Sequence, residues 1–560
     1  MTQEDPFARA IHLSRNGSLE AALDEYRRAI EYNDPTVRAL IEKAILHRQM
    51  GELRLAMKCF TEAIELDPCD PWARLHMGIL LSGIGRPIAA VKLMSEALDF
   101  TPGLDEIRIN VVDAFLNVGW LDAAYFNARR LSPEVGGWWA SCRRSAITRY
   151  AEKKARAISL LKERRKDKIA FSASSYFEVA GIMFEMGYLR IAAKLCRKMM
   201  RQNPASFPTF WLYARVIVRR EGISAGIAFL ESVSWAHEEN PEYYLRLAQL
   251  QHEAGNFDNA LKHLDKAKSL KHLNEARIIK ATALLLLKRS GDLIEHCKAW
   301  MASSSHTHVP GAFALLALRD KKFVNFLQGD EEGWKPNSIE DKISERCIVQ
   351  FWDADDVPSD VSASMETWIA ENPEAKKLLF SNSSARAFIA DNFDAAVLSA
   401  FDYCHHAAMK SDFFRVAFLY KCGGVYTDAD EVCKRPIESI FRAAHKAEII
   451  AAVSGDIPGY IHNFFIAAKP YSEILRQALE GMVIAINAAR EENRKLDIWQ
   501  VTGPGMITRA VGRYLVSPEM IMGDVKNRVI LLSLSQYRSF SATNEKLAYK
   551  RTVAGNWRMA

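Results

Sequence analysis

The sequence predicts a two-part chain: an all-α repeat solenoid over residues 1–300, a junction at 301–344, and an α/β domain over 345–560. Three observations predict it. Glycine and alanine recur every 34 residues through the first half. After Arg346 the pattern changes to short β-branched and aromatic runs alternating with helix-like stretches. One of those runs ends in an acid–glycine stretch, KCGGVYTDADEV (421–432), which the repeats do not contain.

The bulk properties frame these parts. A chain of 560 residues is too long for one ordinary domain. Its 49% apolar and 25% charged residues match a water-soluble globular protein. A formal charge of +6 is small for this length and argues against a dedicated nucleic-acid binder. The longest apolar runs, such as 283–287, fall far short of a membrane span, so any membrane contact is expected to be peripheral. The opening MTQEDPFARAIHLSR carries early acids and no apolar core, unlike a secretory leader. Nine scattered cysteines without a CxxC pair suggest neither a disulfide framework nor a zinc site, and a reduced cytoplasm is the expected compartment.

The repeat is strict. Gly17, Gly51, Gly85 and Gly119 are 34 residues apart, and Gly187 and Gly255 keep the register. Five residues after each comes Ala22, Ala56, Ala90, Ala124, Ala192 or Ala260, where helices must approach closely. Pro68, Pro102 and Pro204 close three units. The positions at 153, 221 and 289 keep the register without glycine, which makes about eight or nine units. This pattern resembles the tetratricopeptide repeat family, whose helix pairs stack to bury a shared core and leave a concave groove for a protein partner.

The pattern lapses at ASSSHTH (302–308) and LQGDEEGWKPNS (327–338), read as a junction, with His306 and His308 as solvated side chains. Strands are expected at 346–352, 376–382, 423–430, 447–453 and 460–469, with helices between them, and hence a mostly parallel sheet. Asp428 and Asp430 close the third strand. On a strand, residues i and i+2 share a face, and two like charges side by side call for a cation between them. Upstream, Asp412 and Arg415 are helical neighbours at i and i+3. The blander alternatives are a solvated turn for the acidic pair, a structural ion pair for Asp412 and Arg415, and core packing for Trp352 and Trp368.

The constellation Asp412, Arg415, Gly423, Gly424, Tyr426, Asp428 and Asp430 resembles the DxD sugar-transferase family, which includes clostridial glucosylating toxins, yeast initiating α-1,6-mannosyltransferases and bacterial capsular-polysaccharide transferases. CIVQFW (347–352), Pro358, Trp368, Asn372-Pro373, Asn463 and TGPGMIT (502–508) agree with it. The resemblance covers about 345–560 and implies a retaining hexosyltransferase of the A-type, Rossmann-like fold, using a UDP- or GDP-sugar and Mn²⁺ or Mg²⁺. By the same resemblance Asp430 and Asp428 would hold the metal and Asp428 would also reach the ribose. Asp412 and Arg415 would bind the transferred sugar, Trp352 would stack on the base, and Asn463 and Lys550 would contact the donor. The tail departs from the family: AYKRTVAGNW (548–557) lacks the expected histidine, leaving Asn556-Trp557 and Lys550 or Arg551 as replacements.

The acceptor is expected to be a glycan or lipid-linked carrier in surface-polysaccharide synthesis at the inner face of the membrane. The alternatives are a polypeptide held by the repeats, or a non-catalytic scaffold with a degenerate transferase domain. A run of eleven basic residues between Arg143 and Lys168 reads as a solvated face, with an anionic membrane or glycan as its functional alternative.

Overall fold

The computed structural model describes the chain except for residues 1–4, 16–18, 32–35, 133–136, 168–172, 304–307, 320–324, 327–345, 455–458, 518–527, 545–546 and 552–560. It divides into two compact units, Leu53–Lys288 and the pair of segments Met1–Glu52 and Arg289–Ala560. His306, Asn556, Trp557 and the stretch 327–338 lie outside the described residues.

The unit Leu53–Lys288 is built of helix pairs, as the 34-residue period predicts. Pro71–Gly83 pairs with Pro87–Phe100, Ala173–Glu185 with Leu189–Gln202, and Pro241–Ala254 with Phe257–Lys266. The pairs turn where the glycines stand: Gly85 and Gly119 have φ of 76° and 74°, a left-handed geometry that most side chains resist. Ala56, Ala90, Ala124, Ala192 and Ala260 are fully buried, so a larger residue there would force the helices apart.

The three positions that lack glycine behave differently. Beside Glu221 the neighbouring Gly222 supplies the turn at φ 99°, and beside Arg289 it is Lys288 at φ 58°. At Lys153 no residue takes a left-handed turn. The unit expected there is instead one continuous helix, Gly137–Asp167, about 46 Å long at about 1.5 Å per residue. Part of the basic run lies on this helix and is used internally: Lys153 pairs with Glu185 at 2.8 Å and Arg156 with Glu178 at 2.6 Å. The side chains of 161–167 lie outside the described residues.

The helix pairs of this unit coil tightly enough for turns far apart in sequence to meet. The Arg86 guanidinium donates to the Glu253 carbonyl at 3.1 and 2.8 Å. In return the Glu253 carboxylate accepts the backbone N–H groups of Ile88 and Ala89 at 3.1 and 3.2 Å, capping the helix Pro87–Phe100 from 165 residues away. Burial pushes the Glu253 carboxyl up to about 7, while those N–H groups and Arg86 pull it back. Replacing Glu253 by alanine should uncap the helix and take away the carboxylate charge that offsets Arg86, although the guanidinium keeps its bonds to the backbone carbonyl. The expected loss is roughly 2–4 kcal/mol, read as a lower denaturation midpoint; an unchanged midpoint would refute the clasp.

In the other unit a seven-stranded sheet is formed by β1 (Asn325–Phe326), β2 (Cys347–Phe351), β3 (Lys376–Phe380), β4 (Gly424–Thr427), β6 (Ile449–Val453), β7 (Ile461–Ala468) and β8 (Val529–Leu532), in the order β1-β8-β6-β7-β4-β2-β3. Two short strands, β5 (Glu431–Cys433) and β9 (Ser541–Thr543), pair apart from it. Within the seven-stranded sheet β7 runs antiparallel to both neighbours and the other pairings are parallel, while β5 and β9 pair antiparallel. Ile348, Val349, Val425, Tyr426, Ile450 and Ile466 are fully buried, which suits a sheet covered on both faces. Within the segment read as a junction, Val309–Arg319 is helical. It crosses the helix Pro504–Leu515 with Gly311 against Gly512, where a Cβ on Gly512 would lie 2.2 Å from the Gly311 Cα.

Candidate functional site

The site forms at the carboxyl ends of β2 and β4, which are adjacent and parallel. Because β7 is antiparallel to β4, its opening residues, including Asn463, return to the same edge. The helix Ala407–Cys422 leads into β4. It begins under a cap in which the His406 ring nitrogen accepts from Ala408 N–H at 3.1 Å. It ends at Gly423 and Gly424, with φ of 69° and 102°. Side chains there would strike Pro470 and the Cys347 Sγ, so the helix can join a central strand only through glycines.

Strand β4 ends at Thr427, one residue before the acidic pair. Asp428 and Asp430 therefore lie in a turn closed by Glu431 N–H to Asp428 C=O at 3.1 Å, and not on one face of a strand as the spacing suggested. The turn forms because β5 leaves the main sheet to pair with β9. It still holds both carboxylates at one edge of the domain.

Arg415 joins the parts. Its guanidinium is buried and ion-pairs with Asp412 at 3.1 Å and Asp428 at 2.8 Å. It also donates to the Ser411 hydroxyl and carbonyl and to the Asn463 carbonyl, and lies over the Tyr426 ring at 4.4 Å. Each nitrogen of the fork is thus engaged by the protein itself. Asp412 accepts from Asn463 Nδ2 at 2.8 Å and from the Thr502 hydroxyl at 3.4 Å, so two of the sequence landmarks converge on this carboxylate. Tyr426, fully buried, shares a hydrogen bond with Ser411 at 2.8 Å and donates to Asp428 at 3.2 Å.

Burial pushes Asp412 up to about 6, against Arg415, Asn463 and Thr502. Asp428 is likewise pushed upward, by burial first and then by the like charges of Asp430 and Asp412, with Arg415 opposing. Both shifts arise first from burial, and the crowding of Asp412, Asp428 and Asp430 around one guanidinium adds to the shift of Asp428. Among the described residues no cluster of three His, Cys, Asp or Glu side chains could hold a metal. Two hard carboxylates nevertheless fit a small divalent ion, because such ions take one or two carboxylates and draw their remaining ligands from water and substrate phosphates.

Trp352 follows β2, is partly buried, and packs beside Ala429 of the acidic turn. Trp368 is core: it is fully buried and its indole N–H donates to the Glu431 carbonyl at 2.8 Å. His308, read as solvated, is partly buried between Tyr460 and Trp499 and bonds Gln500. The side chain of Lys550 lies outside the described residues. Sequence reasoning missed Ser411, one helical turn before Arg415, whose i, i+4 spacing could have revealed it. It also missed Tyr549, for which no local signal exists.

With this geometry in place, the comparisons agree. Residues 358–446 match the family described as glycosyltransferase sugar-binding region containing DXD motif, and 7–103 and 241–271 match tetratricopeptide repeats. Inositol phosphoceramide mannosyltransferase 2 of Schizosaccharomyces pombe is 28% identical over 24% of this chain and 38% of its own. Initiation-specific alpha-1,6-mannosyltransferase of Candida albicans is 24% identical over 37% of this chain and 63% of its own. The chain thus spans less than two thirds of these relatives. The solved PaToxG glycosyltransferase overlaps 31% of this chain and 71% of its own at 15% identity with a TM-score of 0.24, too little to define geometry. The molecule carries a tetratricopeptide-repeat array fused to a DxD-containing sugar-transferase domain. That domain is related to fungal mannosyltransferases and other glycosyltransferases.

Arg415→Met should leave Asp412 and Asp428 buried without their counter-charge, at a cost of about 3–5 kcal/mol. The loss should be larger at pH 8 than at pH 5. Without Arg415 both carboxyls titrate still higher, so at pH 5 they hold protons and no longer need a partner. Urea titrations at the two pH values check this, and an equal loss at both would contradict it.

Proposed function

We propose that the sugar-transferase domain is a retaining, metal-dependent hexosyltransferase that takes its donor as a nucleotide sugar. The observation that supports this most directly is the Arg415-centred cluster, which holds Asp412, Asp428 and Asn463 at the strand edge where α/β sheets bind ligands. A solvated turn would need no such cluster.

In this reading Asp430 and Asp428 hold a divalent ion, and the ion supplies Lewis-acid neutralisation of the departing diphosphate. The chain's own residues do the rest. Arg415 favours the ionised forms of Asp428 and Asp412 and orients them. Asp412, fixed by Asn463 and Thr502, offers remaining lone pairs to hydroxyls of the transferred sugar. Trp352, beside the acidic turn, gives the nucleobase a flat apolar face. As the family resemblance implies for retaining members, the acceptor hydroxyl attacks from the face the nucleotide leaves, and the leaving phosphate takes its proton.

The names of the curated relatives favour mannose as the hexose and a lipid-linked or glycan acceptor. Among the described residues no helix is long and apolar enough to cross a membrane. In this proposal the acceptor is met at the membrane's inner face, from the cytoplasm, with the repeats recruiting it or a protein partner.

Purified protein, incubated with GDP-mannose and a panel of UDP-hexoses in Mn²⁺ or in chelator, is expected to turn over one donor only when metal is present. Asp430→Asn should lower that turnover by about two orders of magnitude. If no donor is consumed, and neither GDP nor UDP with metal raises the melting temperature, the proposal fails.

A further inference from the structure

The segment after β9 comes back over the acidic turn and is pinned there at several points. The Asn544 N–H donates to the Asp430 carbonyl at 2.8 Å, and its side chain donates to Ser364 at 3.2 Å. Leu547 is buried in a cluster with Ala429, Val361 and Met365. The Ala548 N–H donates to Asp360 at 3.1 Å. These contacts deliver Tyr549 to the site. Its hydroxyl donates to Asp430 Oδ2 at 3.2 Å, and its ring stands at 83° to that of Trp352 with centroids 5.3 Å apart.

The anchor beneath this segment is built to last. Glu431, only 2% exposed, follows Asp430 directly. Its carboxylate accepts from the hydroxyls of Tyr537 at 2.7 Å, Thr543 at 2.6 Å and Ser541 at 3.4 Å. A carboxylate with three hydroxyl donors on and beside β9 ties that strand to β5.

We propose that Tyr549 is a positioning residue of the donor site. Its hydroxyl sets the orientation of the Asp430 carboxylate for the divalent ion, and its ring closes the corner beside Trp352. The inference rests on the metal-dependent nucleotide-sugar reading given above and deepens it. A hydrogen bond from a neighbouring group to a metal-binding carboxylate fixes the oxygen that faces the ion, and losing such a bond typically weakens metal affinity about 10–100-fold.

The test uses the full chain and reads binding as well as turnover. Mn²⁺ affinity is measured in saturating GDP or UDP, whichever binds the wild type, for wild type, Tyr549→Phe and Tyr549→Ala, with melting temperature as the folding control. Tyr549→Phe keeps the ring and should fold as the wild type, yet bind Mn²⁺ about 10–100-fold more weakly. Its turnover should be recovered by raising Mn²⁺, which a merely structural defect would not allow. Tyr549→Ala should show the same metal defect and, in addition, weaker nucleotide binding at saturating Mn²⁺. If both variants bind Mn²⁺ and nucleotide within twofold of wild type, Tyr549 has no such role while the proposed function stands. If the wild type itself binds neither nucleotide with metal, the two fall together.

Discussion

One buried cation holds the site together. Arg415 sits on the helix Ala407–Cys422, pairs with Asp412 on that same helix, and reaches Asp428 beyond the end of β4 and the Asn463 carbonyl on β7. Helix, turn and strand are thereby tied at one point. A charge this deep in a protein is tolerable only when its partners are close and well aligned. That requirement explains several residues at once. Gly423 and Gly424 bring the helix hard against the sheet, Tyr426 roofs the guanidinium, and the Ser411 carbonyl takes the Nε–H that no carboxylate reaches. The guanidinium also opposes the burial that raises both carboxyls, and so makes their ionised forms less costly.

The acidic turn owes its form to what lies outside the main sheet. Strand β5 would extend β4 if nothing drew it away, but it pairs with β9 and is fixed there by Glu431. The bend between β4 and β5 is where Asp428 and Asp430 project. Anchor and acidic turn are adjacent in sequence: the Glu431 carboxylate anchors β9, and Asp430 directly before it belongs to the turn. In the repeat unit the same economy appears as the clasp between Arg86 and Glu253, where one carboxylate caps a helix and holds two distant turns together.

Much of this was legible beforehand. The 34-residue period gave the helix pairs because each turn needs one left-handed residue and each contact one alanine, and both requirements are local. Five strands in the α/β part were readable from β-branched and aromatic runs, and β7 was readable as a strand though not as a reversed one. The acidic pair and the Asp412–Arg415 neighbours stood out because helical spacing and like-charge crowding are properties of short stretches. The strands β8 and β9 escaped notice, since β8 is four residues long and β9 three, and their pairing partners lie far away in sequence.

What the sequence by itself determined is the inventory: helix-pair repeats, an α/β domain, and an acidic motif after a Gly-Gly turn beside a helical Asp and Arg. At Lys153 it could not say whether a missing glycine would be replaced by a neighbour, as at 222 and 288, or whether the helix would simply run on. Only the tertiary structure decided that, and only it decided that Arg415 is spent on the protein, that Thr502 and Asn463 meet at Asp412, and that Tyr549 lies on Asp430. The physical reason is common to all of them. Secondary structure and crowding of charge are set by neighbours within a few residues, whereas the partner of a buried polar group is whichever donor or acceptor the folded chain brings within about 3 Å.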